Sequence, residues 1–319
     1  MSAAQESLMR LENLSVSFAG HGHGDGPHFR AVDDVSLEIR AGEVLGIVGE
    51  SGSGKTTLAK ALLRLYRPSA GRILYRGTDL APLGERALRP FRRNLQMVFQ
   101  DPLSSFNPRQ TVAESLAMPL RLHAICPRGE MPAAVDAALT RVGLSPNFRD
   151  RFPHELSGGQ LQRVAIGRAL TLSPSLLVAD EAVSKLDVSV RAQILNLLRD
   201  VQEASRLSIL FITHDLHVAR YLCHRIGVMY FGKLVELGPT EEIFGAPRHP
   251  YTKALLGTLD EEISEDAEVT AAPPSATGCR YASRCPHATA VCAAEHPPLD
   301  RVAEGHGVAC HRWREIPDA

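Results

Sequence analysis

The stretch Gly49-Glu50-Ser51-Gly52-Ser53-Gly54-Lys55-Thr56 satisfies the pattern G-x-x-x-x-G-K-[ST] and decides the fold of this 319-residue chain. It follows the unbroken apolar run Val44–Val48 and precedes a helix-compatible segment over residues 56–66. A buried strand, a glycine loop and a helix in that order are the context in which such a loop holds phosphate. Glycines at 49, 52 and 54 let backbone N–H groups curl around phosphate oxygens without Cβ clashes, and the helix N-terminus adds positive potential. Lys55 is placed to reach β- and γ-phosphates, and the Thr56 hydroxyl to bind Mg²⁺. Glu50, Ser51 and Ser53 fill the variable positions of the loop, and Thr57 follows it in the first helical turn.

Working outward, Leu14, Val16 and Phe18 alternate with polar residues, and Val35, Leu37 and Ile39 resume that period of two after a Gly/His stretch at 20–28. A hairpin-like antiparallel start is predicted. Short apolar runs recur at 96–99, 176–179, 209–213 and 226–230, separated by helical patterns such as 188–204. Strands alternating with helices predict a parallel α/β sheet. Between 102 and 173 the pattern is helical with Pro and Gly breaks, an inserted helical subdomain. Residues 260–268 hold six acidic side chains and no basic one, and Ala, Pro, Ser and Thr dominate up to Thr277. We read 1–259 as one ATPase-type domain, 260–277 as a linker and 278–319 as a small Cys-rich tail.

Apolar residues make up 44% of the chain and charged residues 22%, which excludes a chain disordered throughout. With 35 Lys+Arg against 36 Asp+Glu there is no overall basic field, and nucleic acid is not an expected partner. No apolar run approaches bilayer-spanning length and the N-terminal residues lack a signal-peptide h-region, so neither a transmembrane segment nor export is expected.

A second element is the apolar run ending in Asp180-Glu181. Open α/β sheets bind ligands at the C-terminal ends of their strands. Asp180 suits a Mg²⁺ shell, and Glu181 is placed to polarise an attacking water as general base, provided the strand ends there. A third is Leu156-Ser157-Gly158-Gly159-Gln160. Ser157 opens a helix, so its hydroxyl, the Gly158 and Gly159 amides and the helix dipole form an anion site.

With this pentapeptide the chain resembles the ATP-binding cassette family. The resemblance implies a RecA-like parallel core with an antiparallel β subdomain and an inserted helical subdomain, and hydrolysis of ATP with Mg²⁺. It further implies that Ser157–Gln160 closes over the γ-phosphate held by a partner chain. Gln100 matches the family's glutamine that contacts Mg²⁺ and water, His214 the switch histidine that contacts the γ-phosphate and orients Glu181, and Asp187 the D-loop aspartate. The D-loop match is imperfect, since Ala182-Val183-Ser184-Lys185-Leu186-Asp187 stands where Pro-Thr-Ser-Ala-Leu-Asp is the family's pattern. Phe18, or else Phe29, is the candidate to stack on adenine.

Arg248-His249-Pro250-Tyr251-Thr252 resembles the extension of ATPases from oligopeptide, dipeptide and nickel importers, and so does Phe99-Gln100-Asp101-Pro102 with Phe106-Asn107-Pro108. Cys279, Cys285, Cys292 and Cys310 suffice for a Cys₄ metal site, although their spacing fits neither the common zinc nor the bacterial ferredoxin template. Resemblance to the peptide-importer ATPases implies a [4Fe–4S] cluster, with Zn²⁺ as the alternative. His21, His23 and His28 could chelate metal but read more simply as a hairpin connection, and Cys126 and Cys223 as core or helix-surface residues.

The implied function is the ATPase subunit of an importer of peptides or related solutes, peripheral on the cytoplasmic membrane face. Its implied partners are a second, homologous or identical ATPase subunit, two membrane permeases and, indirectly, an extracytoplasmic solute-binding protein. The alternatives are a cassette ATPase of DNA repair or translation, a sensor in which the tail matters more than hydrolysis, and nickel or opine cargo.

Overall fold

The computed structural model describes residues 6–18, 29–257 and 277–316. The chain begins with β1 (Ser7–Phe18), β2 (Phe29–Arg40), β3 (Val44–Val48), α1 (Lys55–Leu62), β4 (Ala70–Tyr75), β5 (Thr78–Asp79), α2 (Glu85–Arg92) and β6 (Leu95–Val98). It continues through α3 (Val112–Leu122), α4 (Met131–Arg141), α5 (Gly158–Leu170), β7 (Leu176–Asp180), α6 (Val188–Ser205), β8 (Ser208–Ile212) and α7 (Leu216–Leu222). It closes with β9 (Arg225–Tyr230), β10 (Lys233–Pro239), α8 (Thr240–Gly245), α9 (Pro250–Gly257), α10 (Ala290–Ala294), β11 (Asp300–Ala303) and β12 (His306–Val308). These elements fall into two compact units.

One unit takes Arg40–Glu43 and Pro82–Ile212. Its strands β6, β7 and β8 are parallel neighbours, with Leu176 opposite both Leu95 and Ser208. All five positions of β7 and of β8 are buried. Continuous apolar strands of this kind belong to parallel sheets covered on both faces. Residues 102–173 carry helices and no strand. There α5 turns Leu161, Val164, Ile166 and Leu170 inward, as α3 does Leu116 and Leu120 and α4 Val135 and Leu139. Thr111 starts α3 with a reciprocal cap to Glu114, which satisfies two end donors at once.

The other unit takes Ser7–Ile39, Val44–Ala81 and Thr213–Ala319. Here β2, β1, β4 and β5 form a four-stranded sheet in that order, with antiparallel pairing of β1 to β4 and β4 to β5. A second run pairs β3 parallel to β9, then β9 antiparallel to β10, β10 to β12 and β12 to β11. The tail therefore supplies a β-hairpin that covers the edge of β10, where unpaired N–H and C=O groups would otherwise stand open. The junction is fixed by a buried hydrogen bond as well: His306 Nε2 lies 2.8 Å from the carboxylate of Glu236, a side chain with no solvent exposure. That carboxylate also accepts the Arg248 and His249 N–H groups at 2.8 and 3.0 Å.

Some expectations shift. The helix after the glycine loop stops at Leu62 rather than running to residue 66, and Arg64 then adopts φ 54°. The strands β4, β5, β10, β11 and β12 are not foreseen by the apolar pattern; the last two are short, and β11 is largely exposed. The linker residues up to 276 and the histidines at 21, 23 and 28 lie outside the described residues. Cys223 is buried and Cys126 half-buried. Among the described residues no helix is long and apolar enough to cross a membrane.

Candidate functional site

The glycine loop leaves β3 at Val48 and enters α1 at Lys55. Gly54 caps the helix at φ 100°, and a Cβ there would stand 2.1 Å from the Ala31 carbonyl oxygen. Only glycine serves both the left-handed conformation and the close approach. Lys55 is buried, and its Nζ donates to the Gly49 and Glu50 carbonyls at 2.7 Å each and to Ser53 Oγ at 3.3 Å. The ammonium thus sits inside the ring of the loop. Ser51 and Gly52 are exposed at the loop's tip, while Thr56 and Thr57 are half-buried in the first turn of α1. The N-terminal backbone donors of α1 and the loop amides form an anion-binding concavity.

Behind the loop stand residues that the sequence reading did not connect with it. Glu50 donates its N–H to Tyr251 Oη at 3.1 Å, and its carboxylate lies 3.5 Å from Arg284 Nη1. Burial pushes the Tyr251 phenol upward, so it stays a neutral hydroxyl. Its backbone N–H donates to His249 Nδ1 at 3.0 Å. His249 is fully buried and lowered to about 4, so it is a neutral acceptor at physiological pH. The Tyr230, Tyr251 and Tyr281 rings meet with centroids 4.5 to 5.4 Å apart, within the range of favourable aromatic pairing.

At the end of β7, Asp180 is 4% exposed. Glu181 follows with φ 47°, a left-handed backbone that is costly for a residue bearing a Cβ. The strand ends at Asp180, so Glu181 is released from the alternation that points neighbouring strand positions to opposite faces. Gln100 Nε2 donates to Glu181 Oε2 at 2.6 Å, and the Glu181 N–H donates to the Ile212 carbonyl at 3.0 Å. Ser184 Oγ donates to the Glu181 carbonyl at 3.0 Å. The structure thus brings Gln100 and Glu181 together.

Ser157 caps α5: its Oγ accepts the Gln160 N–H at 3.3 Å, and Gln160 Oε1 accepts the Ser157 N–H at 3.0 Å. Gly158 is exposed and Gly159 buried, where a Cβ would stand 2.3 Å from Val190 Cγ1 of α6. Asp187 is exposed at the N-terminus of α6. His214 is exposed after β8, and Asp215 beside it caps α7 by accepting the Val218 N–H at 3.2 Å. Phe18 is 40% exposed and packs edge-on against Tyr66 with centroids 5.4 Å apart; Phe29 is 60% exposed. Tyr66 is an aromatic neighbour that sequence reasoning missed.

Cys279, Cys285, Cys292 and Cys310 all line one cavity of about 20 Å³, together with His249, His287 and His311. All four are free thiols. Burial raises Cys279 and Cys285 and pushes Cys310 up to about 11. Among the described residues no three side chains stand in metal-holding geometry. The donor set suits a Cys₄ metal centre, while the cavity as it stands admits a single guest of about water's size.

The sequence profile described as "ABC transporter" matches residues 32–184, and the one described as "Oligopeptide/dipeptide transporter, C-terminal region" matches residues 235–292. A Sinorhizobium fredii protein described as a probable peptide ABC transporter ATP-binding protein is 45% identical over 317 residues, 96% of this chain and 90% of its own. The oligopeptide transport ATP-binding protein AppF of Bacillus subtilis is 43% identical, covering 98% of this chain and 99% of its own. Among solved structures, cbiO1 from Clostridium perfringens, part of the ABC transporter complex cbiONQ, superposes with TM-score 0.66 at 29% identity over 75% of this chain and 91% of its own. The dimeric post-hydrolysis state of the ATP-binding cassette MJ0796 with ADP and Pi gives the same TM-score and identity over 73% of this chain and 98% of its own.

Proposed function

The chain belongs to the ABC transporter family of ATP-binding proteins, and from that premise we infer that it is the ATP-hydrolysing subunit of an importer for peptides. The observation that carries this reading is the pairing, in one polypeptide, of the ABC transporter match with the oligopeptide/dipeptide transporter C-terminal match.

The residues divide the chemistry as follows. The loop amides from Gly49 to Gly54 and the Lys55 ammonium hold the β- and γ-phosphates. Thr56 and Asp180, with Gln100, would hold Mg²⁺; their oxygen donors suit that hard cation, whose charge neutralises the phosphates. Glu181 accepts the proton of the attacking water as its oxygen bonds to the γ-phosphorus and the bond to the β-phosphate oxygen breaks. Gln100 holds the Glu181 carboxylate in place for that task, and His214 meets the γ-phosphate. Ser157 to Gln160, capped but outward-facing, meet the ATP of a second ATPase subunit, and Asp187 faces the same partner. Phe18 offers its ring to adenine.

We assign two permease subunits as further partners, which places the chain on the cytoplasmic membrane face. The helical stretch offers a docking surface, an open groove of about 650 Å³ floored by Ala117, Met131 and Val135 and rimmed by Arg121, Arg128 and Arg149. For the tail, likeness to the peptide-importer ATPases supports a [4Fe–4S] cluster on the four cysteines, which would require the cavity of about 20 Å³ to widen, and zinc is the second reading. We take 278–319 as the importer-type extension and 102–173 as the subdomain that transmits closure.

The test is whether ATP closes a dimer that hydrolysis reopens. Glu181→Gln, incubated with MgATP, should elute as a dimer and retain nucleotide, whereas wild type should return to its starting state with ADP released. A monomeric variant with bound ATP, in the presence of any partner ATPase, overturns the reading.

A further inference from the structure

The Tyr251 hydroxyl and the Arg284 guanidinium converge on one residue of the phosphate loop. Glu50 is held at its N–H by Tyr251 Oη, 3.1 Å away, and at its carboxylate by Arg284 Nη1, 3.5 Å away. Neither supporting group is loose. Tyr251 is 2% exposed, gripped through its backbone by His249 Nδ1 and through its ring by Tyr230 and Tyr281. Arg284 also donates to the Tyr230 hydroxyl, and Tyr230 ends β9, the strand paired with β3 from which the loop departs. Tyr281 and Arg284 both belong to the tail, between Cys279 and Cys285. Glu50 is therefore pinned from α9 and from the tail at once. The loop's own cation leans on the same residue from inside, since Lys55 Nζ donates to the Glu50 carbonyl at 2.7 Å.

We propose that Tyr251 and Arg284 are positioning residues for ATP binding: they fix Glu50, hold the phosphate loop in its ring shape before nucleotide arrives, and make the C-terminal tail a brace of the nucleotide site. The inference rests on the assignment of ATP to residues 49–56. Preorganisation of this kind lowers the cost of binding and leaves the chemical step alone. The effect belongs in KM and in nucleotide affinity, not in kcat.

The experiment uses the full chain with MgATP for turnover and a fluorescent ATP analogue for equilibrium binding. Tyr251→Phe removes one neutral hydrogen bond and should raise KM and Kd about three- to tenfold with kcat within about twofold of wild type. Arg284→Ala should raise them about two- to fivefold, as befits a half-exposed pair, and Arg284→Lys should recover part of the loss. Because Arg284 acts through Glu50, its effect should disappear in a Glu50→Gln background. A merely structural loss would lower the active fraction, and with it apparent kcat, at unchanged KM. That outcome, or an Arg284→Ala effect of equal size with and without the Glu50 carboxylate, overturns the proposal. Should Tyr251→Phe fail to fold, the Arg284 and Glu50 cycle decides alone. Lys55→Ala separates this failure from that of the parent assignment: unaltered ATP binding in Lys55→Ala sinks the site itself, whereas lost binding there alongside unchanged Tyr251→Phe and Arg284→Ala sinks only the brace.

Discussion

Gln100 donates its side-chain amide to the carboxylate of Glu181 at 2.6 Å, and Glu181 meets it from a left-handed backbone at φ 47°. Because β7 ends at Asp180, the turn at Glu181 lets two consecutive carboxylates face different surroundings: Asp180 stays buried, and Glu181 is held by the Gln100 side-chain amide.

Glu181→Gln should lower kcat by about two to four orders of magnitude while leaving ATP affinity within about threefold, the span expected for loss of a general base. Gln100→Ala should lower kcat less, about tenfold, since the base stays but loses its anchor. Steady-state phosphate release with parallel binding measurements checks both. Normal turnover in Glu181→Gln would remove the assigned base.

Asp33 joins β2 to the tail. Its carboxylate lies 2.8 Å from Arg280, 3.2 Å from Lys233 and 3.0 Å from Arg30. Burial alone would raise this carboxyl, yet the hydrogen bonds of Arg280 and Arg30 and the charge of Lys233 hold it at about 2, below the ordinary 3.8. A depressed carboxyl contributes stability in full above its unfolded value and loses it as pH falls toward the folded one. The contribution, about 2 kcal/mol at most because Arg30 is largely solvent-exposed, should fade between about pH 4 and about pH 2. Urea unfolding of wild type and Asp33→Asn at neutral pH and near pH 3 checks this. The gap between the two proteins should shrink in acid.

The raised thiols of Cys279, Cys285 and Cys310 must shed protons to become ligands. Metal in the tail should therefore be held more weakly as pH falls, with loss to a chelator faster at about pH 6 than at about pH 8. Cys285→Ser should reduce bound metal well below wild type. Iron with a visible charge-transfer band identifies the cluster, and zinc without colour the mononuclear site. Purified full-length protein that carries neither metal under anaerobic preparation rules out both.

Much of the site could be read from local pattern because the chemistry there is local. The loop at 49–56 needs glycines at fixed intervals, a strand before it and a helix after it, and all three are written contiguously. Val44–Val48 and Leu176–Asp180 are buried at every position, so unbroken apolar runs betray them. Ser157 and Gln160 sit three apart because a helix cap requires it. The tail was legible only as a cluster of four thiols in a short segment; nothing in β11 or β12 announces a strand, since β11 is mostly exposed and β12 pairs with β10, which a distant segment supplies.

By itself the order of amino acids determined the phosphate loop, the acidic strand end and the serine-capped helix, each a pattern held within a few neighbouring positions. Only the tertiary structure decided that Tyr251 and Arg284, 201 and 234 positions away, would close on Glu50, and that Gln100 would aim Glu181 across 81 positions. The reason is physical. Propensity, capping and periodicity act through bonds and turns along the chain, whereas these pairings arise when packed strands and rings bring remote backbones within hydrogen-bond reach, and no local preference records them.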